Sequence, residues 1–285
     1  LVTLQGAPEA AEAASAVLED LYRRLECGLE VGPNEVEAAV RMVIAGVREV
    51  AGFRGADLMI RTERRRISPR SPTQAAYLRA MQRHDLVFGI GPAGTGKTYL
   101  AVAMGLSLLN QRQVDRLILS RPAVEAGERL GFLPGDMKDK VDPYLRPLYD
   151  ALQDMLPEGK LGAKLESGQI EVAPLAFMRG RTLANAFVIL DEGQNTSPGQ
   201  MKMFLTRLGE NSRMVVTGDP TQDDLPPGAL SGVIDAVARL DRVDGVAIIR
   251  FTARDIVRHP LVEAILEAYQ AEAGTESAAP ATART

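Results

Sequence analysis

The sequence predicts an α/β protein with a central parallel sheet, preceded by a small, mainly helical N-terminal segment. Three observations lead there. Short apolar runs at residues 86–90, 116–120, 186–191, 214–218 and 246–250 have the length and composition of strands buried on both faces. Stretches with helical spacing lie between them, at residues 98–110, 143–155 and 198–208. Strand and helix in alternation build a parallel sheet with helices packed against it. Residues 1–70 differ in pattern and form the N-terminal segment; residues 71–272 form the core and 273–285 a polar, alanine-rich, disordered tail.

Each element has its own signal. Ala14, Val17, Leu18, Leu21 and Leu25 stand at helical spacing within residues 10–25. A second helix is predicted over residues 34–50, with Asn34 as N-cap and Val36, Ala39, Met42, Val43 and Val47 as its apolar stripe. The pair reads as a helical appendage packed on the main domain. Arg61, Arg64, Arg65, Arg66 and Arg70 follow as a basic stretch, which reads as a solvated linker whose charge also suits phosphate backbones. At Ser71-Pro72-Thr73-Gln74 a helix begins: Ser71 caps it, Pro72 opens the first turn and Gln74 closes a capping box. That helix runs to about Arg83 and feeds the first strand. Ser197, Pro198 and Gln200 repeat the pattern, and residues 260–271 form a final helix.

Composition narrows the setting. A chain of 285 residues is ample for a buried core in one large or two modest domains. Its net charge of −4 gives no global attraction to nucleic acid, so any such surface is a local patch. Cys27 stands alone, which excludes an intramolecular disulfide and suggests a reducing compartment. With only His84 and His259 beside it, no histidine–cysteine metal cluster is expected. No apolar run is long enough to span a membrane, and residues 1–10 have no secretion-signal pattern. The expectation is a cytoplasmic protein without a membrane partner.

The chemistry centres on Gly91-Pro92-Ala93-Gly94-Thr95-Gly96-Lys97-Thr98, a complete G-x-x-x-x-G-K-[ST] loop between a strand and a helix. Glycines let backbone N–H groups wrap phosphates, and the helix N-terminus adds positive potential. Lys97 then reaches the β/γ-phosphates of a nucleoside triphosphate and the Thr98 hydroxyl holds Mg²⁺. The apolar run at 187–190 ends in Asp191 and Glu192. Asp191 is placed to orient the metal ion, and Glu192 to polarise a water, since a general base must stand near the metal without binding it. The second acid argues for hydrolysis rather than phosphoryl transfer to a small molecule. Gln222, beyond the strand at 214–218, stands where a γ-phosphate belongs; the alternative is a simple Asp-Pro turn at Asp219-Pro220. No N-K-x-D string occurs, which argues against a G-protein, and Leu230-Ser231-Gly232 lacks the ending and position of an ABC signature.

The loop, Asp191-Glu192-Gly193-Gln194 and Thr217-Gly218-Asp219-Pro220-Thr221-Gln222 resemble motifs I, II and III of superfamily-one helicases. More narrowly, Arg121-Pro122-Ala123-Val124-Glu125-Ala126-Gly127-Glu128-Arg129-Leu130-Gly131-Phe132-Leu133-Pro134-Gly135-Asp136 resembles the signature of PhoH-like ATPases, as do the strings at 141–150 and 257–262. The resemblance covers residues 70–270 and implies a RecA-like P-loop ATPase core, cytoplasmic, tied to RNA metabolism and ring-forming. A ribosome-associated endoribonuclease is the implied partner, and a KH-like RNA-binding segment is implied at the N-terminus. No G-x-x-G loop lies between the two predicted helices; Gly52-Phe53-Arg54-Gly55 fits the bare pattern but follows both.

By the same resemblance Gln74 reads the edge of adenine, with Tyr77 one turn on as a stacking ring; by local physics Gln74 is a capping residue. Arg258 is the candidate arginine finger for a neighbouring subunit's γ-phosphate, with Arg207, Arg254 and Arg121 competing. Arg121 also suits contact with a nucleic-acid backbone. Little chain follows Gln222, so the cleft is expected to be completed by another subunit in a homo-oligomeric ring, a hexamer by resemblance. Two functions follow: an RNA-coupled ATPase, with helicase action within its range, or an ATP-gated adaptor that recruits a nuclease or ribosome without unwinding.

Overall fold

A computed structural model describes residues 2–26, 28, 31–44, 58–122 and 137–256 of the chain. Helices α1 (Pro8–Glu26) and α2 (Pro33–Ile44) pack on each other through Val17, Leu21 and Ala39. A small antiparallel hairpin follows, β1 (Ile60–Arg61) and β2 (Arg66–Ile67), then α3 (Pro72–Arg83), β3 (Leu86–Ile90), α4 (Lys97–Asn110) and β4 (Arg116–Arg121). Beyond them come α5 (Met137–Met155), α6 (Lys160–Glu166), β5 (Ile170–Pro174), β6 (Ala186–Leu190), α7 (Pro198–Leu205), β7 (Arg213–Gly218), α8 (Gly232–Leu240) and β8 (Val246–Arg250).

Six strands form one sheet in the order β5-β4-β6-β7-β3-β8, and every pairing in it is parallel. β7 separates β3 from β6, so the strand before the phosphate loop and the strand ending at Asp191 are not neighbours. This is the RecA-like arrangement. Alternation along the strands sends Val87, Leu117, Phe187, Ile189 and Val215 toward α3, α4 and α5. Phe88, Ile118, Val188, Leu190 and Val216 face α7 and α8. Both faces are covered, which is why the central strands read as unbroken apolar runs. α4 approaches the sheet at Gly105, where a Cβ would lie 2.5 Å from Leu117 and 2.9 Å from Phe187.

All five predicted strands are present, with β4 extended to Arg121. β5 was not predicted; it is an edge strand whose Glu171 and Pro174 break the apolar pattern. α6 and α8 are likewise additions, and α5 starts at Met137, earlier than the predicted 143. α2 starts at Pro33, not after an Asn34 cap; the Glu35 carboxylate instead accepts from the Gly32 amide at 3.1 Å. The basic stretch is no linker. The Arg64 amide donates to the carbonyl of Met155 (3.2 Å), the Arg64 guanidinium to that of Gln153 (3.3 Å), and Arg65 pairs with Asp154. Cations at the last turn of α5 meet its free carbonyls and its negative dipole end. The Gly52–Gly55 string, the final helix at 260–271, Arg258 and the tail lie outside the described residues. Among the described residues no helix is long and apolar enough to cross a membrane.

Phe187→Ala removes a fully buried ring beneath α4 and should lower unfolding stability by about 3–5 kcal/mol, measured by urea denaturation. A loss under about 1 kcal/mol would contradict this packing. Gly91 has φ +145°, and a Cβ there would sit 2.4 Å from the Phe251 carbonyl oxygen after β8. Gly91→Ala should therefore cost about 1–3 kcal/mol in the same assay, where an unchanged midpoint would show that the loop has room to relax.

Candidate active site

The phosphate loop leaves β3 over the carboxyl end of the sheet, where open α/β sheets bind ligands. Its first amide, at Gly91, donates to the Gly218 carbonyl at 3.0 Å, and the Ala93 amide donates to Asp219 Oδ2 at 3.1 Å. Thr95 is fully buried: its hydroxyl donates to the Pro92 carbonyl at 3.0 Å, and its own carbonyl accepts from Gln74 Nε2 at 3.0 Å. Gly96 takes a left-handed conformation (φ +80°) and passes the chain into α4 without a side-chain cap. The first turn of α4 thus offers amides and the positive dipole end to an anion. Lys97 Nζ donates to the Gly91 and Pro92 carbonyls, both at 2.7 Å. Burial holds its ammonium below the usual lysine range, while the charges of Asp219, Glu192 and Asp191 pull it back up.

Across the cleft, buried Asp191 accepts the hydroxyls of Thr98 and Thr217 on the same oxygen, both at 2.6 Å. Glu192 follows in the left-handed region (φ +53°), which turns its side chain out of the strand direction. Arg121 Nη2 donates to Glu192 Oε1 at 3.1 Å, and Gln194 Nε2 donates to Oε2. Buried Gln194 also accepts the Asp219 amide at 3.0 Å and donates to the Gln222 carbonyl at 3.1 Å. Asp219 Oδ1 closes its own turn by accepting the Thr221 amide (3.0 Å) and hydroxyl (2.6 Å).

These groups enclose a cavity of about 290 Å³ walled by Lys97, Thr98, Asp191, Glu192, Asp219 and Gln222. A second cavity of about 640 Å³ shares Gly94, Gly96 and Tyr99 with it and is lined by Arg24, Arg64, Arg65, Arg66 and Arg70. Among the described residues no three histidine, cysteine or carboxylate side chains gather as a metal cage. The Thr98 hydroxyl beside the Asp191 carboxylate is the donor set that suits Mg²⁺, which keeps several waters and takes its remaining oxygens from phosphate.

The fold therefore brings together the loop residues Gly91 to Thr98 with Asp191, Glu192 and Gln222, the last exposed on the cavity rim. Gln74 lies directly under the loop. Its backbone amide donates to the Ser71 hydroxyl at 3.1 Å, but its side-chain oxygen accepts from the Arg70 amide (2.7 Å), so the predicted capping box is not closed. Tyr77 is a correction. Its ring is fully buried against Gly89 and edge-on to Phe251, with centroids 5.3 Å apart, and no face is open to a base. Burial, with the Asp191 charge behind it, pushes its phenol well above the usual range. Arg207 donates to the Arg181 and Met203 carbonyls near the amino ends of the strands, away from the loop. Gln194, Thr217 and Asp219 are site residues that motif reading assigned no role. The signal for Thr217 is a lone hydroxyl closing an apolar strand.

The family pattern for the PhoH-like protein matches residues 66–270. A PhoH-like protein of Bacillus subtilis (strain 168) is 49% identical over 94% of this chain and 84% of its own length. One from Mycobacterium tuberculosis (strain ATCC 25618 / H37Rv) is 50% identical over 94% of this chain and 76% of that protein. Protein PhoH of Escherichia coli (strain K12) is 48% identical over 71% of this chain and 58% of its own. Among solved structures, the Sulfolobus solfataricus SWI2/SNF2 ATPase core in complex with dsDNA overlaps loosely (14% identity, 63% of this chain and 43% of that one, TM-score 0.36). With a loop and an acid pair of this geometry, and with half of its residues shared with these relatives, the chain belongs to the PhoH-like family.

Proposed function

We propose that this protein binds and hydrolyses ATP with Mg²⁺ and couples the cycle to RNA. One observation carries the reading: Thr98 and Asp191 meet at 2.6 Å beside Lys97, with Glu192 the next residue along. The triphosphate occupies the smaller cavity, where Lys97 exchanges the Gly91 and Pro92 carbonyls for β/γ-phosphate oxygens. Thr98 and Asp191 would hold Mg²⁺, which would supply positive charge against those phosphates. Glu192 accepts the proton of the attacking water. Gln222, on the rim, reports the γ-phosphate to the surface. The nucleoside lies in the adjoining arginine-lined cavity. Gln74, already bonded to Thr95, supports the loop there rather than reading the base.

RNA coupling, a six-fold ring, an arginine finger from Arg258 of a neighbouring subunit and a ribosome-associated endoribonuclease partner are proposed on the resemblance to PhoH-like ATPases. So is a cytoplasmic location. The adaptor reading, in which slow hydrolysis only times association, is favoured by one feature: both Glu192 oxygens are engaged. Stimulation of turnover by RNA separates the two.

Glu192→Gln should retain ATP binding in a fluorescent-nucleotide titration while phosphate release falls at least about tenfold. Intact hydrolysis would show that the base lies elsewhere. Light scattering in the presence of ATP should report an assembly larger than a monomer; a fully active monomer would eliminate the ring.

A further inference from the structure

We infer that Arg121 is a positioning residue that latches Glu192, and that a backbone phosphate of a single-stranded nucleic acid opens the latch. The inference rests on Glu192 as the general base. A carboxylate in that role must keep its basicity and aim a lone pair at the water. Here Oε1 accepts from the Arg121 cation, which lowers its pull on a water proton, and both oxygens are held in direction by Arg121 and Gln194.

The two restraints differ in kind. Gln194 is buried and tied to the Asp219 amide and the Gln222 carbonyl, so it is part of the frame. Among the described residues, Arg121 is held by Glu192 and by the carbonyl of Tyr144 on α5, at 3.1 Å, and its side chain is 21% exposed. A partly exposed ion pair contributes little net stability, so a competing anion can displace it. Guanidinium groups bind phosphate oxygens in a bidentate fork, which makes phosphate a strong competitor.

The position of Arg121 says which phosphate. β4 lies three strands from β3, about 14 Å at the usual spacing, and Arg121 approaches Glu192 without being among the described residues that wall the phosphate cavity. Tyr144 is half-exposed next to it, and Arg146 is exposed two residues further along α5. Cations interleaved with an aromatic ring are what single strands use to hold backbone and base together. Strand binding would draw Arg121 from Glu192 and restore the basicity and freedom of Oε1 toward water.

The test is steady-state ATP hydrolysis with and without a single-stranded oligouridylate, for the wild type, Arg121→Ala, Arg121→Lys and Glu192→Gln. Arg121→Ala should raise the RNA-free kcat by about five-fold, the upper end for losing a partly exposed ion pair, leave the KM for ATP unchanged, and bring RNA stimulation close to none. Arg121→Lys, keeping charge without the fork, should fall between the two. A merely structural arginine, or one that assists the reaction directly, would instead lower or leave unchanged the RNA-free rate, and that result overturns the latch. If Arg121→Ala does not fold, Arg121→Gln is read by the same criteria. An active Glu192→Gln would remove both the base and the latch. An inactive Glu192→Gln beside an Arg121→Ala that gains no RNA-free rate removes the latch alone.

Discussion

Asp191 is a buried carboxylate at the centre of a sheet, and its two hydroxyl bonds are the constraint on which the site depends. A charge taken out of water must be met by hydrogen bonds. Here the donors come from two other elements, Thr98 on the first turn of α4 and Thr217 near the end of β7. One oxygen therefore sets the relative height of β6, β7 and the phosphate loop. The Asp219 bond to the Ala93 amide repeats the device on the other wall, and Gln194 joins Asp219 to Glu192. The cleft is a frame of short polar links built between strand ends, with the apolar sheet beneath it fixing their spacing.

The charges inside that frame are unbalanced by design of the sequence. Among the described residues that wall the smaller cavity, Lys97, whose charge burial disfavours, faces the carboxylates of Asp191, Glu192 and Asp219. The neighbouring cavity has the opposite bias, with arginines from α1, the β1–β2 hairpin and the segment before α3.

How much of this was legible in the residues depends on range. The central strands and the loop announce themselves because burial on both faces and phosphate wrapping each impose a local pattern. β5 escaped because an edge strand is covered on fewer sides and tolerates Glu171 and Pro174. The hairpin escaped because its arginines are explained only by the carbonyls at the end of α5, some ninety positions later in the chain (|i−j| = 89). Tyr77 sat one turn from a glutamine and looked available; only the packing of Gly89 and Phe251 shows the ring enclosed. Gln194 was visible in Asp191-Glu192-Gly193-Gln194, but its role rests on tying Glu192 to the turn at Asp219 and Gln222, more than twenty positions later, and no spacing rule joins the two.

The strand order carries a consequence for how the chain must assemble. β3 is among the first strands of the sheet to be made, yet both of its neighbours, β7 at Arg213–Gly218 and β8 at Val246–Arg250, come late. Ser71, which caps α3, waits for the same stretch, since its hydroxyl donates to Asp255 at 2.6 Å. During synthesis β4, β5 and β6 can pair as they emerge, while the apolar edge of β3 stays unmatched until most of the protein is complete. Contacts so distant in sequence are slow to close and leave a sticky strand exposed meanwhile. The segment that prepares the phosphate loop is thus the one whose folding depends most on the chain being finished.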